Sequence, residues 1–220
     1  MLITNTEWED NTMKKIITIG REFGSAGHDI GKLIASELGY TFYDKKLVEM
    51  AAEKSNLSGE AVKKLDEKAT SSLLYSLASG SYSLRGMGGP LYYEMPLNDK
   101  LFLAQSDIIK NIAAKENSVI VGRCANYVLD TLEDVELIKV FIYADFEFRL
   151  KRVMDALELD EKHAKDKINK TDKQRKIYYN YYSNLEWGKM SNYDICVNSG
   201  KFGIEQSAKL IVDAIRSLEK

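Results

Sequence analysis

The stretch Ile16-Ile17-Thr18-Ile19-Gly20-Arg21-Glu22-Phe23-Gly24-Ser25-Ala26-Gly27-His28-Asp29-Ile30-Gly31-Lys32 constrains the fold more than any other part of the chain. A β-prone apolar tetrad runs into a turn of small residues. The turn opens into apolar positions at helical spacing, Ile30, Leu33, Ile34 and Leu38. A strand, a glycine-rich loop and a helix in that order form the arrangement by which α/β proteins hold phosphate. Small residues let backbone N–H groups point into the loop, and the helix N-terminus adds partial positive charge. The segment predicts a protein that handles nucleotides or phosphate. Its helix start reads Gly27-His28-Asp29, without the lysine that the pattern G-x-x-x-x-G-K-[ST] places there.

The rest of the chain alternates strand and helix patterns. Strand one covers 15–20, and its helix runs to about Leu38, stopped by Gly39. Tyr40 to Tyr43 reads as a short strand, with Asp44 capping a helix to about Lys54. Ser58-Gly59-Glu60 opens a further helix. Residues 70–95 are rich in Ser, Gly, Tyr and Leu and read as a mobile insertion. Beyond them come a helix over about 97–115, a buried strand 118–121, a short helix from Tyr127 to Leu132 and a strand 137–143. A helix over 145–156, an exposed polar helix within 159–185, a strand 193–198 and a helix 203–219 complete the pattern. Such alternation predicts one α/β domain, a parallel sheet of about five strands covered by helices on both faces. Residues 1–12 read as a flexible extension, with Met13 as an alternative start, and 13–220 as the domain. Its two excursions are an insertion near 58–96 and a polar segment near 159–190.

Composition narrows the function classes. With 31 Lys+Arg against 33 Asp+Glu the formal net charge is -2, which argues against broad nucleic-acid binding. Two cysteines, Cys124 and Cys196, suit a reducing cytoplasm better than a disulfide scaffold. No apolar run approaches the roughly 18 residues of a membrane span, and no apolar leader is visible at the N-terminus. His28 and His163 lack metal-ligand spacing with any cysteine or second histidine, so no zinc site is expected.

In a parallel sheet, ligands gather beyond the carboxyl ends of the strands. Three strands end there in suggestive residues: Gly20-Arg21, Asp44 and Gly122-Arg123. Lys170, Asp172, Lys173 and Arg175 form a fourth set in the polar excursion. Arginine suits phosphate because its planar fork bonds two oxygens and stays charged. Each candidate also has a plainer reading. Asp44 serves equally as a helix cap, Lys170 to Arg175 as a solvated face, and Arg123 as a structural arginine. Tyr178, Tyr179, Tyr181 and Tyr182 suggest a base-stacking platform, but packing of their own helix explains them more simply, as it does Trp187. The two cysteines read as small core residues.

Taken together, four segments resemble the cytidylate kinase-like family, a divergent branch of the P-loop nucleoside monophosphate kinases. They are Gly20 to Gly27, Val121-Gly122-Arg123-Cys124-Ala125-Asn126-Tyr127, Lys170-Thr171-Asp172-Lys173-Gln174-Arg175 and Asn192-Tyr193-Asp194. The resemblance spans about residues 14–218. It implies a three-layer P-loop NTPase-like fold with an insertion over the acceptor and an arginine-bearing lid. It further implies that Gly24, Ser25, Ala26, Gly27, His28 and Asp29 cradle the donor phosphates, with Arg21 beside them. Asp44 and Arg123 would face the acceptor monophosphate, while Asp172 and Arg175 belong to the lid. Against the family's kinases, the loop lysine position falls on Gly27 and the magnesium-binding hydroxyl position on Asp29. Arg21, His28 or a lid cation would then compensate for the lysine, and the Asp29 carboxylate could bind magnesium as a hard oxygen ligand.

The expected activity is magnesium-dependent phosphoryl transfer from ATP to a nucleoside monophosphate, cytidylate first, with Arg123, Arg175 and Asp172 as catalytic residues. A non-catalytic nucleotide-binding module and a kinase of another small acceptor remain the alternatives. The expected partner is a nucleotide or other small phosphate acceptor, with neither nucleic acid nor membrane, and the expected location is the cytoplasm. Oligomeric state stays open.

Overall fold

The computed structural model describes residues 13–44, 47, 50 and 97–218. The extension 1–12, the helix expected from Ser58 and the stretch 70–95 lie outside the described residues. So does the helix expected after Asp44, apart from Leu47 and Met50, which are helical.

Strand β1 (Lys14–Arg21) leads through the glycine loop into helix α1 (Gly27–Leu38), which Gly39 closes in a left-handed conformation (φ 71°). Strand β2 is Thr41–Tyr43, and helix α2 (Leu97–Ala113) precedes β3 (Ser118–Val121) and the short α3 (Ala125–Leu129). Strand β4 (Val135–Tyr143) feeds α4 (Phe146–Leu157), followed by the long α5 (Glu161–Ser183). A 3-10 turn at Met190–Asn192, β5 (Ile195–Asn198), α6 (Ser199–Phe202) and α7 (Ile204–Ser217) complete the described chain. The five strands form one sheet in the order β2-β3-β1-β4-β5, and every neighbouring pair is parallel.

Alternation along the strands sends apolar side chains to both faces. Ile16 of β1 and Ile120 of β3 join a core with α2 and α3, including Ile108, Ile109, Ile112 and Leu129. Their neighbours Ile17, Ile19, Val119 and Val121 join the opposite core, with Ile30 and Ile34 of α1 and Ile211 and Val212 of α7. The near-continuous Ile/Val runs of the central strands follow from this two-sided burial. A third cluster, Leu150 and Val153 of α4 against Ala164 and Ile168 of α5, docks that helix pair beside the loop, with Phe23 packed on it.

Three sequence expectations shift. The short helix starts at Ala125 rather than Tyr127 and ends before Asp130, because left-handed Cys124 (φ 55°) turns the chain directly into it. The C-terminal helix forms where 203–219 predicts it, as α7, but the unexpected turn α6 precedes it, divided from it by Gly203, whose φ of 78° and ψ of 170° cannot continue a helix. The polar helix is not simply exposed: Ala164, Ile168, Tyr179 and Ser183 of α5 are buried. Tyr182 stacks on Phe102 of α2 with ring centroids 3.9 Å apart, and Tyr178 meets Tyr182 edge-on at 4.8 Å. The tyrosines thus pack one helix on another, as the plainer reading had it.

Candidate active site

The sheet order makes β2, β3 and β1 consecutive neighbours, so their carboxyl ends deliver Asp44, Gly122-Arg123 and Arg21 to one edge. An open cavity of about 400 Å³ lies there. Of the residues singled out from the sequence, Arg21, Gly24, Ala26, Gly27, His28, Asp29, Asp44, Arg123 and Arg175 line it. Ser25 and Asp172 do not, and both hold the loop from behind. The Ser25 hydroxyl lies 2.9 Å from the Glu22 carbonyl and 3.1 Å from that of Ile142. The Ser25 carbonyl in turn accepts a hydrogen bond from Ser199 at 2.6 Å. Asp172 accepts the Phe23 N–H at 2.7 Å through one oxygen and meets Arg149 Nη1 at 2.5 Å through the other. Lys170 and Lys173 are exposed on α5 and stay out of the cavity lining.

Loop conformation depends on backbone that only some residues tolerate. Gly24 has φ 83°, and a Cβ there would press on the Arg149 carbonyl at 2.9 Å. Ala26, the cap of α1, is left-handed at φ 60° despite its side chain. After β3 three residues in a row are left-handed: Gly122 (φ 81°), Arg123 (φ 57°) and Cys124 (φ 55°). Non-glycine residues held this way cost on the order of 1–3 kcal/mol each, and such strain concentrates where a side chain must be aimed. Here it aims Arg123 into the cavity and turns Cys124 into the core. Burial pushes the Cys124 thiol up to about 12, with Arg123 pulling weakly the other way, so the thiol stays protonated.

Charges in the cavity are cross-linked. Arg175, on α5, donates from Nη1 to the Arg21 carbonyl at 2.9 Å and lies over the Phe23 ring, 5.5 Å from its centroid. Burial pulls its pKa below the usual arginine value, while Asp172 and Asp44 pull it back up. His28 Nε2 sits 3.1 Å from Asp44, and its Nδ1 sits 3.3 Å from Asp29. Arg152 Nη2 meets the other Asp29 oxygen at 2.9 Å. Asp44, whose backbone carbonyl also accepts the Leu47 N–H at 3.2 Å, therefore offers its carboxylate to the cavity. Among the described residues no group of three or more His, Cys, Asp or Glu could hold a metal on its own.

Sequence reasoning missed Arg149, Arg152 and Glu22. Arg149 Nε lies 3.4 Å from Glu22, which also accepts the Ala144 N–H at 3.1 Å. Burial raises the Glu22 pKa, and Arg149 lowers it. One signal was present: Arg149 and Arg152 stand three apart on the helix after β4, so they share a face. Their partners lie on other elements and could not be read from that spacing.

A parallel sheet ordered 2-3-1-4-5, with a glycine loop between β1 and α1 and arginines at the strand ends, is the P-loop kinase architecture. The chain matches the model of the cytidylate kinase-like family over residues 16–201 and belongs to that family. It is similar to a cytidylate kinase of Methanoregula boonei, 26% identical over 134 residues, which are 60% of this chain and 70% of that protein. It also resembles the crystal structure of an uncharacterized protein from Eubacterium ventriosum. That likeness is 30% identical with a TM-score of 0.67 and covers 93% of this chain and 99% of the other. A shikimate kinase from Bacteroides thetaiotaomicron shares the fold at 13% identity and a TM-score of 0.50, over 92% of this chain and 98% of that one. Among the described residues no helix is long and apolar enough to cross a membrane.

Proposed function

We propose that this protein transfers the γ-phosphoryl group of Mg-ATP to a nucleoside monophosphate, with cytidylate as the first acceptor. One observation carries the reading: Arg21, Arg123 and Arg175, from two strand ends and the helix α5, line one cavity together with the glycine loop. Phosphoryl transfer asks little covalent chemistry of a protein and much positioned positive charge, which this convergence supplies.

In this reading the backbone N–H groups of Gly24 to Asp29 and the N-terminus of α1 hold the donor phosphates. Arg123, aimed by the strained turn after β3, orients the acceptor phosphate, with Asp44 on the acceptor side. Arg175 neutralises charge on the group in flight, and Asp172 positions it indirectly by fixing Phe23 and the loop. Magnesium would be bound as part of Mg-ATP. It commonly takes one or two carboxylates plus phosphate oxygens and water, so the Asp29 carboxylate in the cavity lining could hold it once an oxygen is released by His28 or Arg152. Bound there, the ion would draw charge from the β- and γ-oxygens.

ADP release from Mg-ATP, measured with CMP, dCMP, UMP, AMP, GMP and shikimate in turn, tests the proposal. Release that depends on CMP or another nucleoside monophosphate is the expected result. Release only with shikimate would refute the acceptor class. Nucleotide binding without release for any acceptor would make this a binding module.

A further inference from the structure

In the pattern G-x-x-x-x-G-K, positions 21 and 27 of this chain are those of the first glycine and of the lysine. The two residue types stand reversed here, with arginine at 21 and glycine at 27. The geometry couples the exchanges. A Cβ on Gly27 would lie 2.6 Å from the Arg21 Cβ and 3.0 Å from its Cγ, so the start of any side chain at 27 is already filled by Arg21. Farther along, the guanidinium lies against Gly122, where a Cβ would overlap Nη1. Two glycines thus form the slot through which Arg21 runs from β1 across the start of α1.

At the end of that slot Arg21 lines the same cavity as the loop, with Nη2 3.8 Å from Asp44. Two further arginines beside the loop hold carboxylates, Arg152 on Asp29 at 2.9 Å and Arg149 on Asp172 at 2.5 Å. We infer that Arg21 supplies from the strand end the phosphate-binding cation that the pattern supplies from the helix start, and that Gly27 is the complement which makes room for it. Given that the cavity takes a nucleoside triphosphate, as proposed above, the ligand of Arg21 is its β/γ-phosphate portion. A guanidinium fork can bond two of those oxygens at once.

The test is calorimetric titration of the full chain with Mg-ATP and with Mg-tripolyphosphate, which carries no base or sugar, alongside thermal melts. Arg21→Met keeps side-chain bulk between the two glycines and removes the charge. It is expected to weaken both ligands about tenfold or more, the scale of a lost charged hydrogen bond. Arg21→Gly should do the same, whereas the double exchange R21G/G27K, which restores the order of the pattern, should regain about tenfold over R21G. Native-like binding by folded R21M, or a folded double variant no tighter than R21G, would overturn the inference while leaving the proposed function standing. A native chain with no affinity for either probe would overturn both.

Discussion

Replacing Arg149 by methionine removes the cation that ties the glycine loop to α5. Its guanidinium meets Asp172 at 2.5 Å and Glu22 at 3.4 Å, and its side chain is only 10% exposed. Methionine fills comparable space, so the loss is chiefly electrostatic: Glu22 and Asp172 lose the cation they share, and Arg175 is left as the positive charge acting on Asp172. Removing one partner of a fully buried pair costs about 3–5 kcal/mol, and the residual exposure of both carboxylates brings the expected loss to about 3 kcal/mol. For a chain of this size that lowers the melting temperature by roughly 6–12 °C. The pH dependence adds a second handle. Burial raises the Glu22 pKa above its unfolded value of 4.5, so its contribution to stability is full below 4.5 and is lost as pH rises through the folded value. Arg149 limits that loss, and without it the folded value rises further. The destabilisation of R149M, followed by circular-dichroism melts, should therefore be largest near neutral pH and shrink toward pH 4. An unchanged melting temperature at pH 7, or equal destabilisation at both pH values, would refute the latch.

Three more expectations follow from the same geometry. Arg123→Ala and Arg175→Ala should each lower acceptor-dependent ADP release about 10²–10³-fold, with near-native circular dichroism; full activity in both would remove their proposed roles. Arg123→Gly relieves a left-handed residue (φ 57°) and should leave the fold as stable as native or about 1 kcal/mol more so while losing the same activity, measured by urea titration beside the kinase assay. The Cys124 thiol and the Tyr43 hydroxyl are each raised to about 12, by burial first and for Tyr43 also by its bond to Glu116. Both are raised groups, so their share of stability is intact below pH 9 and drains as pH climbs toward 12. Cys124→Ala and Tyr43→Phe should each flatten part of that alkaline slope in melts taken from pH 8 to 11.

The loop was legible because its signals are local. A tetrad of β-prone residues, closely spaced small residues and apolar positions at helical spacing sit within one continuous stretch, and β1 and α1 appear where they point. The carboxyl-end residues were legible for a related reason: in a parallel sheet every strand ends on the same side, which puts Arg21, Asp44 and Arg123 on one side, whereas their meeting in one cavity needed the order β2-β3-β1. What stayed hidden depends on pairings distant in sequence. Arg149 finds Glu22 and Asp172 only after α4 and α5 dock on the loop. The buried stripe of α5 is too sparse, and too diluted by lysine, to show against its polar face. Left-handed Arg123 and Cys124 carry no mark, since neither is a residue type that favours that conformation. The reversal of arginine and glycine at 21 and 27 was visible as a missing lysine, but that the two share one space needed coordinates.

Phosphorus NMR of the native chain mixed with Mg-ATP and CMP measures the central claim most directly, because it sees donor and acceptor together. The account predicts CDP and ADP appearing one for one as ATP and CMP disappear, with no inorganic phosphate beyond background. ATP that stays intact with CMP and every other nucleoside monophosphate, while calorimetry shows it bound, would contradict phosphoryl transfer by this arginine-lined site.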